Sequence, residues 1–252
     1  MSSWERFNNR SENYDHYRPR YPSKLIDLLR NEADLTSNSI VADIGSGTGL
    51  LAELLLKSEC KLFCVEPNGE MRNIAHEKLG KVTNCSIING TAENTSLPAS
   101  SIDLITAGQA FHWFDPTESS KEFTRILKRG GNVALVWNTR VKSDSGMNFE
   151  YEKLVKGYSK DYHSSGVRGI EKDIIIGFYN ADFRYFKLRN YQKLNLDGLL
   201  GRYLSSSYAL SEKEPGFGVL KRDFENAFIR NETGGHVTLE YETEVFIGKI
   251  GK

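Results

Sequence analysis

Short apolar runs and amphipathic stretches alternate along the first 140 residues. Residues 22–33 carry Leu25, Ile26, Leu28 and Leu29 as one stripe, with Pro22 near the start, which predicts a helix. An apolar run at 40–45 predicts a strand, and 49–58 follows with helical spacing. The same pairing recurs: strand 61–67 with helix 69–79, strand 85–89, strand 102–107 with helix 116–127, and strand 132–137. Lys128-Arg129-Gly130-Gly131 reads as a helix stop before that last strand. This alternation predicts an α/β fold, Rossmann-like and doubly wound around a parallel sheet.

The pattern changes after residue 138. A helix is expected at 149–158, a strand at 183–194, helices at 196–203 and 214–230, and a half-exposed strand at 237–247, where Val237, Leu239, Tyr241, Val245 and Ile247 alternate with Thr238, Glu240 and Glu244. Two late strands around helices would complete a seven-stranded, mostly parallel sheet with an antiparallel C-terminal edge hairpin. The expected organisation is one domain over 1–252: an N-terminal arm (1–21), a ligand-binding core (22–138), a helical cap over the site (139–182) and a completing segment (183–252). The arm holds Trp4, Phe7, Tyr14, Tyr17 and Tyr21 among polar residues, so it should dock rather than float; its Arg-Pro and Tyr-Pro dipeptides argue against helix there.

Composition narrows the class. Thirty-three basic residues balance 33 acidic ones, so no global field favours nucleic acid or an anionic membrane. Three cysteines, Cys60, Cys64 and Cys85, read as small buried hydrophobes rather than metal ligands or a disulfide framework. No signal peptide and no apolar run of membrane length is evident, which makes a cytoplasmic protein the expectation.

The first strand runs into Asp43-Ile44-Gly45-Ser46-Gly47-Thr48-Gly49. Glycine suits a turn where backbone must approach a ligand closely. A dinucleotide fingerprint needs Gly-x-Gly-x-x-Gly, but its third glycine position here is Leu50. A carboxylate two residues ahead of the turn suits a cationic ligand better than a pyrophosphate. Acid followed by Gly-x-Gly-x-Gly resembles the first motif of the class I S-adenosylmethionine (SAM)-dependent methyltransferases.

That resemblance implies SAM as cofactor, S-adenosylhomocysteine as product, and a set of sites. Asp43, Gly45, Ser46, Gly47, Thr48 and Gly49 would meet the methionine and ribose. Glu66, 21 residues past Gly45 and close to the roughly 20-residue spacing of a ribose-binding acid, would take both ribose hydroxyls, with Pro67 and Met71 beside it. Thr91, Ala92 and Glu93 would line the adenine. Gln109-Ala110-Phe111-His112-Trp113-Phe114 is similar to a run in the trans-aconitate-methyltransferase-like (methyltransferase type 11) proteins. It implies Gln109 and Ala110 on the methionyl part, and His112 and Trp113 facing substrate or methyl as the catalytic candidates. Tyr14-x-x-Tyr17-Arg18-Pro19-x-Tyr21 resembles the arm of the same subgroup, which closes over the cofactor and would bring Tyr14 or Arg18 to it.

The acceptor is open at this level. A small molecule is expected, with neither nucleic acid nor membrane as partner and no metal. A carboxylate acceptor needs cations and no base, and Arg18, Arg20, Arg140 and Arg168 are the candidates. An amine, phenol or carbon acid would use His112 or a tyrosine as base. Tyr21, Arg140 and Tyr208 are the candidate substrate contacts. Ser206 stands where the subgroup usually has a tryptophan, which implies a reduced aromatic wall. Two other classes remain: a non-catalytic SAM-binding regulator, and an NAD-linked oxidoreductase.

Overall fold

The computed structural model describes residues 11–159, 162 and 172–250. The arm residues Trp4 and Phe7, the candidate Arg168 and part of the 139–182 segment lie outside the described residues. Seven strands, β1 (Ile40–Ile44), β2 (Lys61–Val65), β3 (Cys85–Ile88), β4 (Ile102–Gly108), β5 (Leu127–Arg140), β6 (Phe183–Leu194) and β7 (Val237–Gly248), form one sheet. Its order is β3-β2-β1-β4-β5-β7-β6. β1 to β5 are parallel, and β7 enters antiparallel between β5 and β6. Strand order reverses at β1, the position where open α/β sheets leave a crevice beyond the strand carboxyl ends.

The apolar runs of β1 and β5 are buried on both faces, as parallel strands under two helical layers require. Val41, Leu62 and Leu104 face α2 (Lys24–Ala33) and α3 (Leu50–Leu55); Ala42, Ile44 and Ile105 face α5 (Pro116–Ile126) and α7 (Lys172–Phe178). Cys60 and Cys64 are fully buried in the first of these cores, and all three cysteines are free thiols. A third core lies off the sheet. There α6 (Gly146–Tyr158), α8 (Leu196–Leu204) and α9 (Phe217–Asn231) pack over the far ends of β6 and β7. The 139–182 segment is therefore divided: α6 joins this helical layer, while α7 packs on the sheet beside α5. No described helix is long and apolar enough to cross a membrane.

Two expectations are corrected. The arm contains a helix, α1 (Ser11–Tyr17), because an X-Pro dipeptide restrains only the residue before proline, and Arg18 and Tyr21 both lie past the helix end. It is fastened by Asp15 to Lys78 of α4 (Gly69–Leu79) at 2.5 Å and by the Tyr17 carbonyl to Gln192 Nε2 at 2.7 Å. Lys128 to Gly131 is not a helix stop. Helix α5 ends at Ile126, Leu127 is already extended and pairs with Ile102, and the next paired residue is Asn132 against Leu104. Residues 128–131 thus bulge opposite Asp103, with Gly130 at φ +86° and Lys128 Nζ 2.9 Å from the Asp103 carboxylate.

Candidate active site

The turn after β1 is stitched to the end of β2: Gly45 N and Ser46 N both donate to the Val65 carbonyl, at 2.8 and 3.2 Å. Gly45 has φ +65°, and a Cβ there would lie 2.6 Å from the Ala110 Cβ, so neither conformation nor space admits a side chain. Gly47, at φ +58°, donates its N–H to Glu66 Oε2 at 2.9 Å, while Asn68 N donates to Oε1 at 2.8 Å. Glu66 is only 6% exposed. Each of its oxygens accepts one backbone bond and keeps a further lone pair. Burial raises its pKa, with the Asn68 and Gly47 amides and Arg72 opposing. Asn68 Oδ1 in turn caps α4 at Met71 N, 3.0 Å away.

Gly45, Ser46, Gly47, Glu66 and Met71 line one open cleft of about 870 Å³, its solvent-filled mouth included, at the carboxyl ends of β1, β2 and β4. Asp43, Gly45, Ser46, Gly47, Glu66, Pro67 and Met71 are among the lining residues. Thr91, Ala92 and Glu93 also line it, as do Gln109, Ala110 and Trp113. Gln109 adopts a left-handed conformation at φ +55°, held by its N–H to the Val136 carbonyl and its side chain to the Asn138 carbonyl. A non-glycine residue held there is stored strain of the kind found at ligand clamps. Tyr14 and Tyr21 close the cleft from the arm. Tyr21, a candidate for the acceptor, is thus beside the cofactor candidates, its hydroxyl packed over Gly108. Leu50, Leu51 and Phe114 also line the cleft and were not read from sequence.

Thr48, Gly49, Arg18, His112, Arg140 and Tyr208 do not line it. Gly49 packs against Leu79, and the Thr48 carbonyl accepts from Lys78 Nζ at 3.2 Å, so both turn away into the α3–α4 junction.

Asp43 is fully buried. Thr106 Oγ1 donates to Oδ1 at 2.8 Å, while Oδ2 and Ser46 Oγ have no partner among the described residues. Burial pushes the Asp43 pKa to about 7, with the Thr106 bond opposing and Glu66 reinforcing. Unmatched buried polar atoms facing a cleft are the signature of a polar ligand. The Asp43 and Ser46 oxygens, the close backbone at Gly45 and the Glu66 carboxylate fit the charged amino-acid end and the ribose of SAM.

A second cluster borders this cleft through Tyr14, whose ring lies under the Arg18 guanidinium at 4.7 Å, and through the neighbouring rings of His112 and Trp113, tilted at 45° with centroids 4.8 Å apart. It gathers Arg18, Arg140 and Arg202 with Tyr151, Tyr162, Tyr208 and Tyr241. Arg18 Nη2 donates to the Ser205 carbonyl at 3.0 Å, and Arg202 Nε to the Tyr241 hydroxyl at 3.2 Å. Arg140 Nη2 reaches Glu152 Oε2 and the Tyr162 hydroxyl, both at 3.0 Å. Among the described residues Glu152 is the one carboxylate bonded to any of the three arginines. Burial lowers the Arg18 pKa, and Arg202 adds to it. Burial pushes His112 down to about 4, helped by Arg18, so its ring is neutral at physiological pH, with Nδ1 buried and without a partner among the described residues. The Tyr208 hydroxyl, though burial alone would raise it, is pulled below the usual phenol value by Arg140, Arg202 and Arg18.

Ser206 does not open the wall that its small side chain implied. It is fully buried, and its Oγ accepts from Arg202 Nη1 at 3.2 Å, so the space beside it is taken by a guanidinium. Arg202 and Tyr151, which belong to this cluster, were not singled out from the sequence. The available signal for Arg202 was a cation placed on the buried stripe of α8, between Leu199 and Tyr203.

Comparison with known proteins agrees with this geometry. Residues 42–135 match the family model described as a methyltransferase domain. An uncharacterized methyltransferase of Schizosaccharomyces pombe is 34% identical over 131 residues, covering 52% of this chain and 51% of that one. The chain spans about half the length of the curated relatives it matches. Among solved structures, one assigned as a type II methyltransferase from Anaeromyxobacter dehalogenans shares the fold at a TM-score of 0.63 and 21% identity, over 92% of this chain and 98% of that one. A phosphoethanolamine N-methyltransferase of Haemonchus contortus, in complex with SAM, superposes at a TM-score of 0.60 and 13% identity, over 100% and 60%. Family match and relatives thus agree that residues 42–135 are similar to methyltransferase domains, and the fold of the chain around them is that of solved methyltransferases.

Proposed function

We propose that the chain transfers the methyl group of SAM to an oxygen of a small-molecule carboxylate. Bound SAM supplies an already activated methyl on a sulfonium, so the protein's task is alignment, which is worth up to roughly 7–11 kcal/mol when ideal. The observation that carries the choice of acceptor is the charge imbalance beside the cleft: among the described residues, a buried Arg202 and the half-buried Arg18 and Arg140 stand against one bonded carboxylate, Glu152. A cation withdrawn from water without a counter-ion is costly and is retained where an anion completes it. A carboxylate needs no base, which agrees with a His112 whose pKa of about 4 leaves it a weak proton acceptor. Guanidiniums orient the carboxylate toward the cofactor cleft, with His112 and Trp113 at the boundary where its oxygen would meet the methyl group. The helical layer of α1, α6, α8 and α9 serves as the cap in this reading, and the setting is cytoplasmic.

The direct test is release of S-adenosylhomocysteine against an acceptor panel. Turnover is expected on carboxylates, with methyl esters as products. Turnover confined to amines, phenols or thiols would overturn the acceptor reading, and SAM binding without any turnover would favour a regulator. Arg18→Gln is expected to raise the carboxylate KM by roughly 10- to 150-fold, the 1.5–3 kcal/mol of a charge-assisted bond. It should not lower the melting temperature, because it removes an uncompensated charge. Calorimetry and steady-state kinetics on the same variant check both halves.

Asp43 makes binding pH-dependent. Its folded pKa of about 7 lies above its unfolded value near 3.8, so the free fold holds the proton more tightly than the unfolded chain does. Its contribution to stability is therefore full below pH 3.8 and is lost as pH rises through about 7. A cationic ligand reverses the preference by favouring the carboxylate. SAM affinity is expected to tighten as pH rises through about 7, with proton release, and Asp43→Asn should flatten the profile while keeping the Thr106 bond. Titration calorimetry in buffers of different ionisation heat reads this, and an unchanged slope in the variant would remove Asp43 from the account.

A further inference from the structure

Tyr151 is not used in the reading above. It sits mid-helix on the buried stripe of α6 with Met147 and Val155, and it is fully enclosed. The Arg140 guanidinium lies 4.9 Å from its ring centroid, and Phe224 meets the ring edge-on at 5.8 Å. Its hydroxyl has no hydrogen-bond partner among the described residues. A buried hydroxyl left unmatched is costly, and phenylalanine would fill the same space without that cost. Other buried polar atoms of the cluster are in the same condition: Arg140 Nε, Arg18 Nε and His112 Nδ1. Burial raises the Tyr151 pKa, with Arg202 and Arg140 opposing, so the hydroxyl stays protonated and donates.

We propose that Tyr151 is a specificity-determining residue of the acceptor site, its hydroxyl donating to an oxygen of the carboxylate that Arg140 and Arg18 hold. The inference rests on the carboxylate reading above. Its content is selectivity. A hydroxyl hydrogen and the N–H groups of two guanidiniums are all donors, so they match a group that presents lone pairs on both oxygens. A primary amide of the same shape would present its own N–H groups to them and leave buried donors unpaired, the situation in which a site rejects an analogue most strongly.

The experiment uses the full chain loaded with S-adenosylhomocysteine and measures binding of acetate, benzoate, succinate, glutarate and citrate against the corresponding amides. Wild type is expected to bind carboxylates and to reject the amides. Tyr151→Phe is expected to keep S-adenosylhomocysteine affinity and to melt no lower than wild type. It should lose about tenfold in carboxylate affinity, the effect of one hydrogen bond to a charged group, and its carboxylate-to-amide ratio should shrink. Phe224→Leu loosens the same wall without touching the hydroxyl, and should keep the ratio. Equal carboxylate binding by wild type and Tyr151→Phe overturns this assignment and leaves the proposed function standing. A ratio lost as fully in Phe224→Leu as in Tyr151→Phe also overturns it, since packing alone would then explain the loss. If wild type binds none of the carboxylates, the acceptor reading falls and this inference falls with it.

Discussion

Glu66→Ala is expected to weaken SAM binding by roughly 10- to 150-fold, the 1.5–3 kcal/mol typical of a hydrogen bond to a charged group. The carboxylate lines the cleft at the end of β2 and holds both walls, through Gly47 N at 2.9 Å and Asn68 N at 2.8 Å. The substitution therefore removes two kinds of support: a pair of acceptors for the ribose, and the brace that keeps the β1 turn and the α4 start together. An analogue of SAM lacking both ribose hydroxyls separates them. It should bind wild type and variant alike if the ribose contact dominates, and should lose affinity in the variant if the brace does. Calorimetry with the two ligands on the two proteins closes the cycle, and SAM binding unchanged in Glu66→Ala would discard the ribose assignment.

Gly47→Val is expected to abolish useful SAM binding, by roughly 100-fold, from the upper end of the overpacking cost of about 3 kcal/mol. The backbone there has φ +58°, and a Cβ would sit 3.5 Å from Met71 Sδ, in ordinary contact. The fold can accept the methyl groups at the conformational cost of a left-handed residue, about 1–2 kcal/mol, a fall of roughly 2–8 °C in melting temperature. The cleft cannot accept them, because they would fill the space that backbone alone leaves open. The two glycine sites differ in this respect. A side chain at Gly45 would collide with the Ala110 Cβ at 2.6 Å and disturb the fold itself, so Gly47 is the position that separates binding from folding. Melting curves beside SAM titrations check this; a variant that binds SAM normally would show that the ligand does not approach the turn.

The cofactor side of the site was legible because it is local. Asp43 through Gly47 lie in one turn, Glu66 ends the neighbouring strand, and Gln109 to Trp113 follow β4 directly, so strand order alone brings them to one crevice. Helix α1 was missed because the proline rule was applied beyond the single residue it restrains. Helix α7 was missed because seven residues show too little periodicity. Thr48 and Gly49 shared the motif's spacing but not its direction, since one turn of backbone rotates them toward Leu79 and Lys78.

The sequence by itself determined the sheet, its helical layers and the glycine turn that lines the cleft. Those depend on apolar periodicity and on short-range backbone geometry, which few residues specify. Only the tertiary structure brought together the arginine–tyrosine cluster proposed to hold the acceptor. Arg18, Arg140, Tyr151 and the Arg202–Tyr208 stretch come from four separate parts of the chain, and their withdrawal from solvent, the unmatched donors and the depressed Tyr208 pKa exist only after α1, α6 and α8 pack together. The physical reason is that electrostatic compensation is a property of a folded neighbourhood: an arginine in the chain is an ordinary solvated cation until packing removes both its water and any acid that would have balanced it.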